Sequence, residues 1–122
     1  MAKLHLTKRS LRDIQEIFDY SAKKFGITVA EKYLTQIEDA LLFVKNNSQL
    51  IHYRPEISNR FKVYRCEKHW LIFDLVGEDL YLLTVKHTSQ DLLTKLKLLE
   101  PSLEKEVNAL YQQIINQSNS NP

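Results

Sequence analysis

The hydrophobic period of this chain changes once along its length, and that change limits the fold. From residue 11 to 44 apolar side chains recur at three- and four-residue intervals, and from 61 to 87 they recur at every second position. The first spacing marks one face of amphipathic helices, and the second marks strands with alternating faces. Helices segregated ahead of a run of closely spaced strands read as an α+β domain with an antiparallel meander.

The helical part divides at Gly26. Leu11, Ile14, Ile17, Phe18, Ala22 and Phe25 line one face of a first helix, with Thr7 able to cap it. Thr28-Val29-Ala30-Glu31 has the form of a capping box for a second helix. Its stripe is Ala30, Leu34, Ile37, Leu41 and Val44, thickened by Tyr33, Ala40 and Phe43, and Asn46-Asn47-Ser48 ends it. The short link at Gly26 predicts an antiparallel helical hairpin. Ahead of it, Lys3 to Thr7 reads as a short strand, expected at the edge of the sheet.

Residues 46–60, which include Pro55, read as a loop with room for a short irregular strand or turn. Strands are then predicted over 61–66, 69–76 and 80–87, separated by turns at Glu67-Lys68 and Gly77-Glu78-Asp79. Trp70-Leu71-Ile72-Phe73 is apolar on both faces, as a central strand covered on both sides would be. Thr88 or Ser89 can cap a third helix carrying Leu92, Leu93, Leu96 and Leu99. Pro101 should interrupt it, and Ser102 can cap a fourth helix with Leu103, Val107, Leu110 and Ile114. The polar end, Gln117 to Pro122, is expected to be disordered.

Composition removes several classes of function. A length of 122 residues suits one domain. A single Cys cannot form an internal disulfide, and two Gly leave no Gly-rich phosphate loop. The chain lacks an apolar run of membrane-spanning length, and Met1 to Leu6 lacks the pattern of a signal peptide, so a reduced, cytoplasmic protein is expected. Net charge is only +2, but basic side chains outnumber acidic ones six to three over 1–26 and five to two over 49–69. These zones would make one positive face if the fold joins them.

Candidate chemistry is sparse. His5, His52, His69 and His87 are too dispersed to suggest a metal site, and no cofactor is expected. Cys66, inside a predicted strand, is expected to be buried and inert. The set of interest is Arg60, Lys62, Arg65, Lys86 and His87. His87 has the chemistry of a general acid or base, and Arg60 or Arg65 that of a phosphate clamp, as cleavage of RNA through its 2′-hydroxyl requires. Alternation places Lys62 and Arg65 on opposite faces of their strand. The same residues also admit a structural role, as cations protecting sheet edges and a histidine bonding the turn that follows it.

The sequence resembles the RelE/ParE superfamily of toxins from type II toxin–antitoxin modules over about residues 3–91. The resemblance rests on Leu6-Thr7, then Asp13, Ile14, Ile17, Tyr20 and Gly26. It continues through Ala30, Tyr33-Leu34 and Ile37, then Pro55, Arg60 and Trp70-Leu71-Ile72-Phe73. It closes with Val85-Lys86-His87 and Asp91. It implies residues 1–91 as a toxin core, 92–116 as a C-terminal helical extension of the same domain, and 117–122 as a tail. It implies a cognate antitoxin as partner, a toxin–antitoxin hetero-oligomer or a homodimer, and no membrane. The long hairpin is closer to the ParE branch, whose members poison DNA gyrase. The RelE-like alternative is an mRNA endonuclease that works with the ribosome, with Arg60, Arg65 and His87 catalytic and Lys62 and Lys86 supporting. Phe73 stands where many relatives carry Tyr, and no Tyr follows the last strand, unlike several of those nucleases. A third possibility is a non-toxic binding module of the same fold.

Overall fold

The structure, a computed structural model, describes residues 3–54, 58–89 and 92–119. Pro55, Asp91 and residues 120–122 lie outside the described residues. The chain begins with β1 (Leu4–Leu6) and passes through Thr7 into α1 (Lys8–Phe25). Thr7 is the expected cap: its hydroxyl accepts from the Ser10 amide at 3.1 Å and donates to the Leu82 carbonyl at 2.9 Å. One side chain thus starts the helix and ties it to the sheet.

Gly26, at φ +96°, ends α1 and starts α2 (Ile27–Asn46). The capping box at Thr28 does not form, because the positive φ of Gly26 turns the chain earlier and Ile27 is already helical. The expected loop holds a 3-10 turn at Ser48–Leu50 and a short strand, β2 (His52–Arg54). Three longer strands follow: β3 (Ser58–Cys66), β4 (His69–Val76) and β5 (Asp79–His87). Among the described residues the sheet has five strands in the order β1-β5-β4-β3-β2. All pairs are antiparallel except β1 with β5, which makes β1 the expected edge.

The two predicted C-terminal helices are one, α3 (Leu92–Asn119), with Pro101 inside it. Proline removes a backbone bond and crowds the preceding turn, at a cost of about 3 kcal/mol. Leu96 before it and Leu103 and Val107 after it are all buried in one cluster, so tertiary packing holds both halves in line. Ser102 is therefore an internal residue rather than a cap, and the helical backbone runs past Gln117.

Each face of the sheet carries its own core. On one face Ile37, Leu41 and Val44 of α2 pack on Leu71, Phe73, Leu80, Leu82 and Val85. Ile14 and Ile17 of α1 join them, while Leu11 and Phe25, expected on the same stripe, are exposed. On the other face Phe61, Val63, Ile72, Val76, Tyr81 and Leu83 meet Leu96, Leu103 and Val107 of α3. β4 lies between these layers, as its doubly apolar run predicts, with Leu71, Ile72 and Phe73 all fully buried. Trp70, at the start of that run, is only partly buried, against the α3 layer.

Register changes once within the main pair. Phe73 pairs with Leu82 but Ile72 pairs with Thr84, so Leu83 is an extra residue on β5. A bulge of this kind shifts every later pairing by one residue. Beyond Leu82, β5 has no β1 partner. Asp13 of α1 covers that edge, its carboxylate accepting from the Thr84 hydroxyl and from the Val85 amide at 3.1 Å.

Candidate functional site at the β3–β4 turn end of the sheet

The bulge assembles two rows of side chains at the end of the sheet near the β3–β4 turn. One row runs Arg65, Trp70, Lys86, and the next runs Cys66, His69, His87. Neighbouring rows emerge on opposite faces. In the first row the Arg65 guanidinium carbon lies 5.9 Å from the Trp70 ring centre. In the second the His69 and His87 rings meet edge to face, with centres 5.0 Å apart.

The turn itself is held in place. Glu67 sits at φ +52°, in the left-handed region, and its carbonyl accepts from Arg65 Nε at 3.0 Å. The Lys68 carbonyl accepts from the Thr88 amide at 2.8 Å, which joins the turn to the chain leaving β5.

Tyr33 of α2 reaches into the second row. Its hydroxyl lies against the Cys66 carbonyl at 3.3 Å and is hydrogen-bonded to His69 Nδ1. Burial pushes the Tyr33 phenol up to about 12, helped by the thiolate form of Cys66. Burial, and then the charge of His87, pull His69 down to about 4. Near pH 7 the pair is a neutral phenol and a neutral imidazole. Neither is poised for proton transfer at that pH, and the contact braces α2 against β4. Cys66 is buried as expected, burial raises its pKa, and its thiol lies 3.6 Å from the Gln36 carbonyl.

His87 differs. The Ser89 amide donates to its Nδ1 at 2.9 Å, so the neutral ring carries its proton on Nε2. That bond is the expected structural use of His87. It also argues against metal ligation, because Nε2 of the neutral ring holds a proton. Among the described residues no group of three or more His, Cys, Asp or Glu is placed to hold a metal ion.

A cleft of about 810 Å³ opens between this end of the sheet and the helical hairpin. Tyr20, Phe25, Val29 and Tyr33 line its helical wall, and His69 and His87 line the wall opposite. Lys24, Lys32, Lys68 and Lys86 stand among Asp13, Glu16 and Glu67, so its charge is mixed. The two basic zones of the sequence thus contribute to one cleft without making a purely positive face.

The sequence-derived set divides in two. Arg65, Lys86 and His87 all lie at this end of the sheet, but Arg65 stands in the Trp70 row on the face opposite His87, and Lys86 and His87 line the cleft. Lys62 pairs in register with Phe73, farther along β3. Arg60 is five residues from Arg65, roughly 16 Å along an extended strand. Its Nη1 lies 2.9 Å from Asp74, which is 5% exposed, and its Nε lies 3.4 Å from Glu104 of α3. Burial pushes the Asp74 carboxyl up, and Arg60 works against that rise. Arg60 therefore belongs to the contact between sheet and α3, away from His87.

Tyr33 and His69 are the contributors that sequence reasoning missed as a pair. Counting back from the Gly77 turn without a bulge would set His69 opposite Lys86, because the extra residue at Leu83 leaves no mark in hydrophobic alternation.

The sequence model of the family described as "ParE toxin of type II toxin-antitoxin system, parDE" matches residues 4–92. The chain belongs to the ParE toxin family. A solved chain from the chromosomal ParDE TA system of P. aeruginosa superposes with a TM-score of 0.64 at 18% identity, covering 71% of this chain and 96% of that one. A search of curated proteins finds no match. The α+β architecture of this ParE-family chain is thus shared with that structure, and α3 begins where the family match ends. Among the described residues no helix is long and apolar enough to cross a membrane.

Proposed function

We propose that this ParE-family toxin is a growth inhibitor that acts by binding DNA gyrase and is neutralised by a cognate antitoxin. The observation that carries this reading is the dispersal of the nuclease set. Arg60 is engaged with Asp74 and Glu104 and lies roughly 16 Å along β3 from Arg65, too far for the two to act on one phosphate. A protein that acts by binding needs no such cluster. The test is a supercoiling assay with purified gyrase. Saturating toxin is expected to abolish supercoiling, and adding a cognate antitoxin is expected to restore activity. Unchanged supercoiling at saturation would rule the reading out.

A second reading, ribosome-dependent cleavage of mRNA, is supported by Lys86 and His87, which line one cleft. In it His87 supplies the proton on Nε2 and Lys86 holds phosphate in the same cleft. Sequencing RNA 5′ ends minutes after induction separates the two. Cuts inside translated codons, lost in His87→Ala, support the nuclease. Arrest with intact transcripts removes it.

A further inference from the structure

The cleft between the helical hairpin and the β3–β4 turn end of the sheet has two different walls. Its volume, about 810 Å³, falls within the roughly 300–1,000 Å³ of small-ligand sites. The helical wall presents two aromatic rings that the core does not use: Tyr20 is 60% exposed and Phe25 is 56% exposed. Lys24 holds the two rings as a pair. Its Nζ donates to the Tyr20 hydroxyl at 3.0 Å and lies 5.4 Å from the centre of each ring. Large rings left in water at the mouth of a cleft are apolar surface that a flat partner can stack on.

The sheet wall is rich in donors. Lys68 comes from the turn, and Lys86 and His87 from the end of β5. The Ser89 amide, bonded to Nδ1, leaves the proton of the neutral His87 ring on Nε2. Carboxylates line the cleft as well, at Asp13, Glu16 and Glu67. Asp13 is committed to the strand edge, where it accepts from the Thr84 hydroxyl and the Val85 amide. Against these stand Lys24, Lys32, Lys68 and Lys86, so the positive excess is modest and suits a small anion better than a long polyanion. Rings on one wall and donors on the other select a ligand with a flat face at one end and a negative group at the other.

We propose that this cleft binds a free nucleoside monophosphate, with the base stacked on Tyr20 and Phe25 and the phosphate held by Lys68, Lys86 and His87. Hydrogen bonds from ammonium groups to phosphate are charge-assisted, and the Nε2 proton of His87 adds a directed donor. Stacking on aromatic side chains accepts any base, so the site reads the class of ligand rather than one nucleotide. The bound molecule spans the hairpin and the sheet beside the contact of Tyr33 with His69, and so adds a second tie between the two layers. It is a ligand of the toxin itself and involves neither gyrase nor the ribosome.

The test is calorimetric titration of the full chain with adenosine 5′-monophosphate, with adenosine and inorganic phosphate as its separate halves. The monophosphate is expected to bind about tenfold or more tightly than either half, because one molecule engages both walls. Tyr20→Ala, at an exposed position, is expected to weaken it about tenfold, the effect of one stacked base. Lys86→Gln is expected to weaken the monophosphate about tenfold and to leave adenosine unchanged. Amide signals in NMR are expected to shift together in the hairpin around Tyr20 to Tyr33 and at Lys68, Lys86 and His87, while α3 stays still. Inorganic phosphate that binds as tightly as the monophosphate would reduce the site to a lysine cluster and overturn the proposal. An affinity unchanged in Tyr20→Ala with native circular dichroism would overturn it, as would the absence of binding at millimolar ligand. A short RNA that binds where the monophosphate does not would give the cleft to the nuclease reading and overturn it too. These titrations contain no gyrase and no ribosomes, so their outcome is separate from that of either target assay.

Discussion

The two faces of the sheet bury similar side chains but are closed by different means. On the hairpin face, α1 and α2 are continuous with β1 through Thr7, and Asp13, Tyr33 and Ile37 each fasten a helix to a different strand or contact. On the opposite face, among the described residues, one helix lies across the strands, with Leu96, Leu103 and Val107 buried, Leu99 and Leu110 packed beside them, and a partly exposed ion pair on each side. Burial alone would rank the faces as equals, since Phe73 and Phe61 are both 0% exposed. What separates them is how many independent attachments must fail together before the core is exposed.

The largest test of that difference is a pair of truncations. Phe73→Ala should cost about 4 kcal/mol and lower the whole unfolding transition. Leu103→Ala should fall near the lower end of the range for buried leucine, about 2 kcal/mol, because α3 can loosen without the sheet. Urea titrations followed by tryptophan fluorescence and by circular dichroism give both values. Equal costs with coincident transitions would show one cooperative unit and break the comparison.

Acid should act on the hairpin face next. The folded chain holds His69 near pKa 4, whereas an unfolded histidine titrates near 6.5. Stability from this group is full above about pH 6.5 and is lost as the pH falls toward 4, because the unfolded chain takes up the proton first. Allowing for solvent screening, the loss is about 1–3 kcal/mol. His69→Phe should flatten the dependence of the urea midpoint between pH 7 and 4.5. On the α3 face Asp74 works in the opposite sense. Its carboxyl is raised, so the folded chain takes up that proton more readily, and acid offsets a burial cost there. A midpoint equally steep in His69→Phe would remove His69 as the source.

Asp13→Ala should cost about 1–3 kcal/mol, since it leaves the Val85 amide and the Thr84 hydroxyl without their carboxylate at an unpaired strand edge. Faster exchange of the Val85 amide is the sign to look for. The smallest effect is expected at Glu67→Gly. Glycine relieves a left-handed residue but gains freedom when unfolded, so the net change should stay within about 1 kcal/mol.

Much of the architecture was legible in the sequence. The change of hydrophobic spacing separates hairpin from meander, and Thr7 and Gly26 mark the first helix as observed. β4 follows from Trp70 to Phe73, and the edge position of β1 from its brevity. The candidate site was legible only in part. Lys86 and His87 line one cleft, whereas Arg65 stands on the opposite face, Arg60 is engaged with Asp74, and the contact of Tyr33 with His69 was absent from the reading. An ion pair such as Arg60 with Asp74 joins strands whose register no local pattern announces.

The sequence by itself determined the helical hairpin and the three long strands, because periodicity acts over a few residues along one chain. Tertiary structure alone decided the bulge at Leu83, which sets His69 opposite His87 and Trp70 opposite Lys86. It also decided that α3 runs unbroken through Pro101. Both outcomes depend on free energy gained between residues distant in the chain. Burying Leu83 on one face and Val85 on the other requires the extra residue, because positions two apart on a regular strand share a face. Seating Leu96 and Leu103 in one cluster offsets the proline between them.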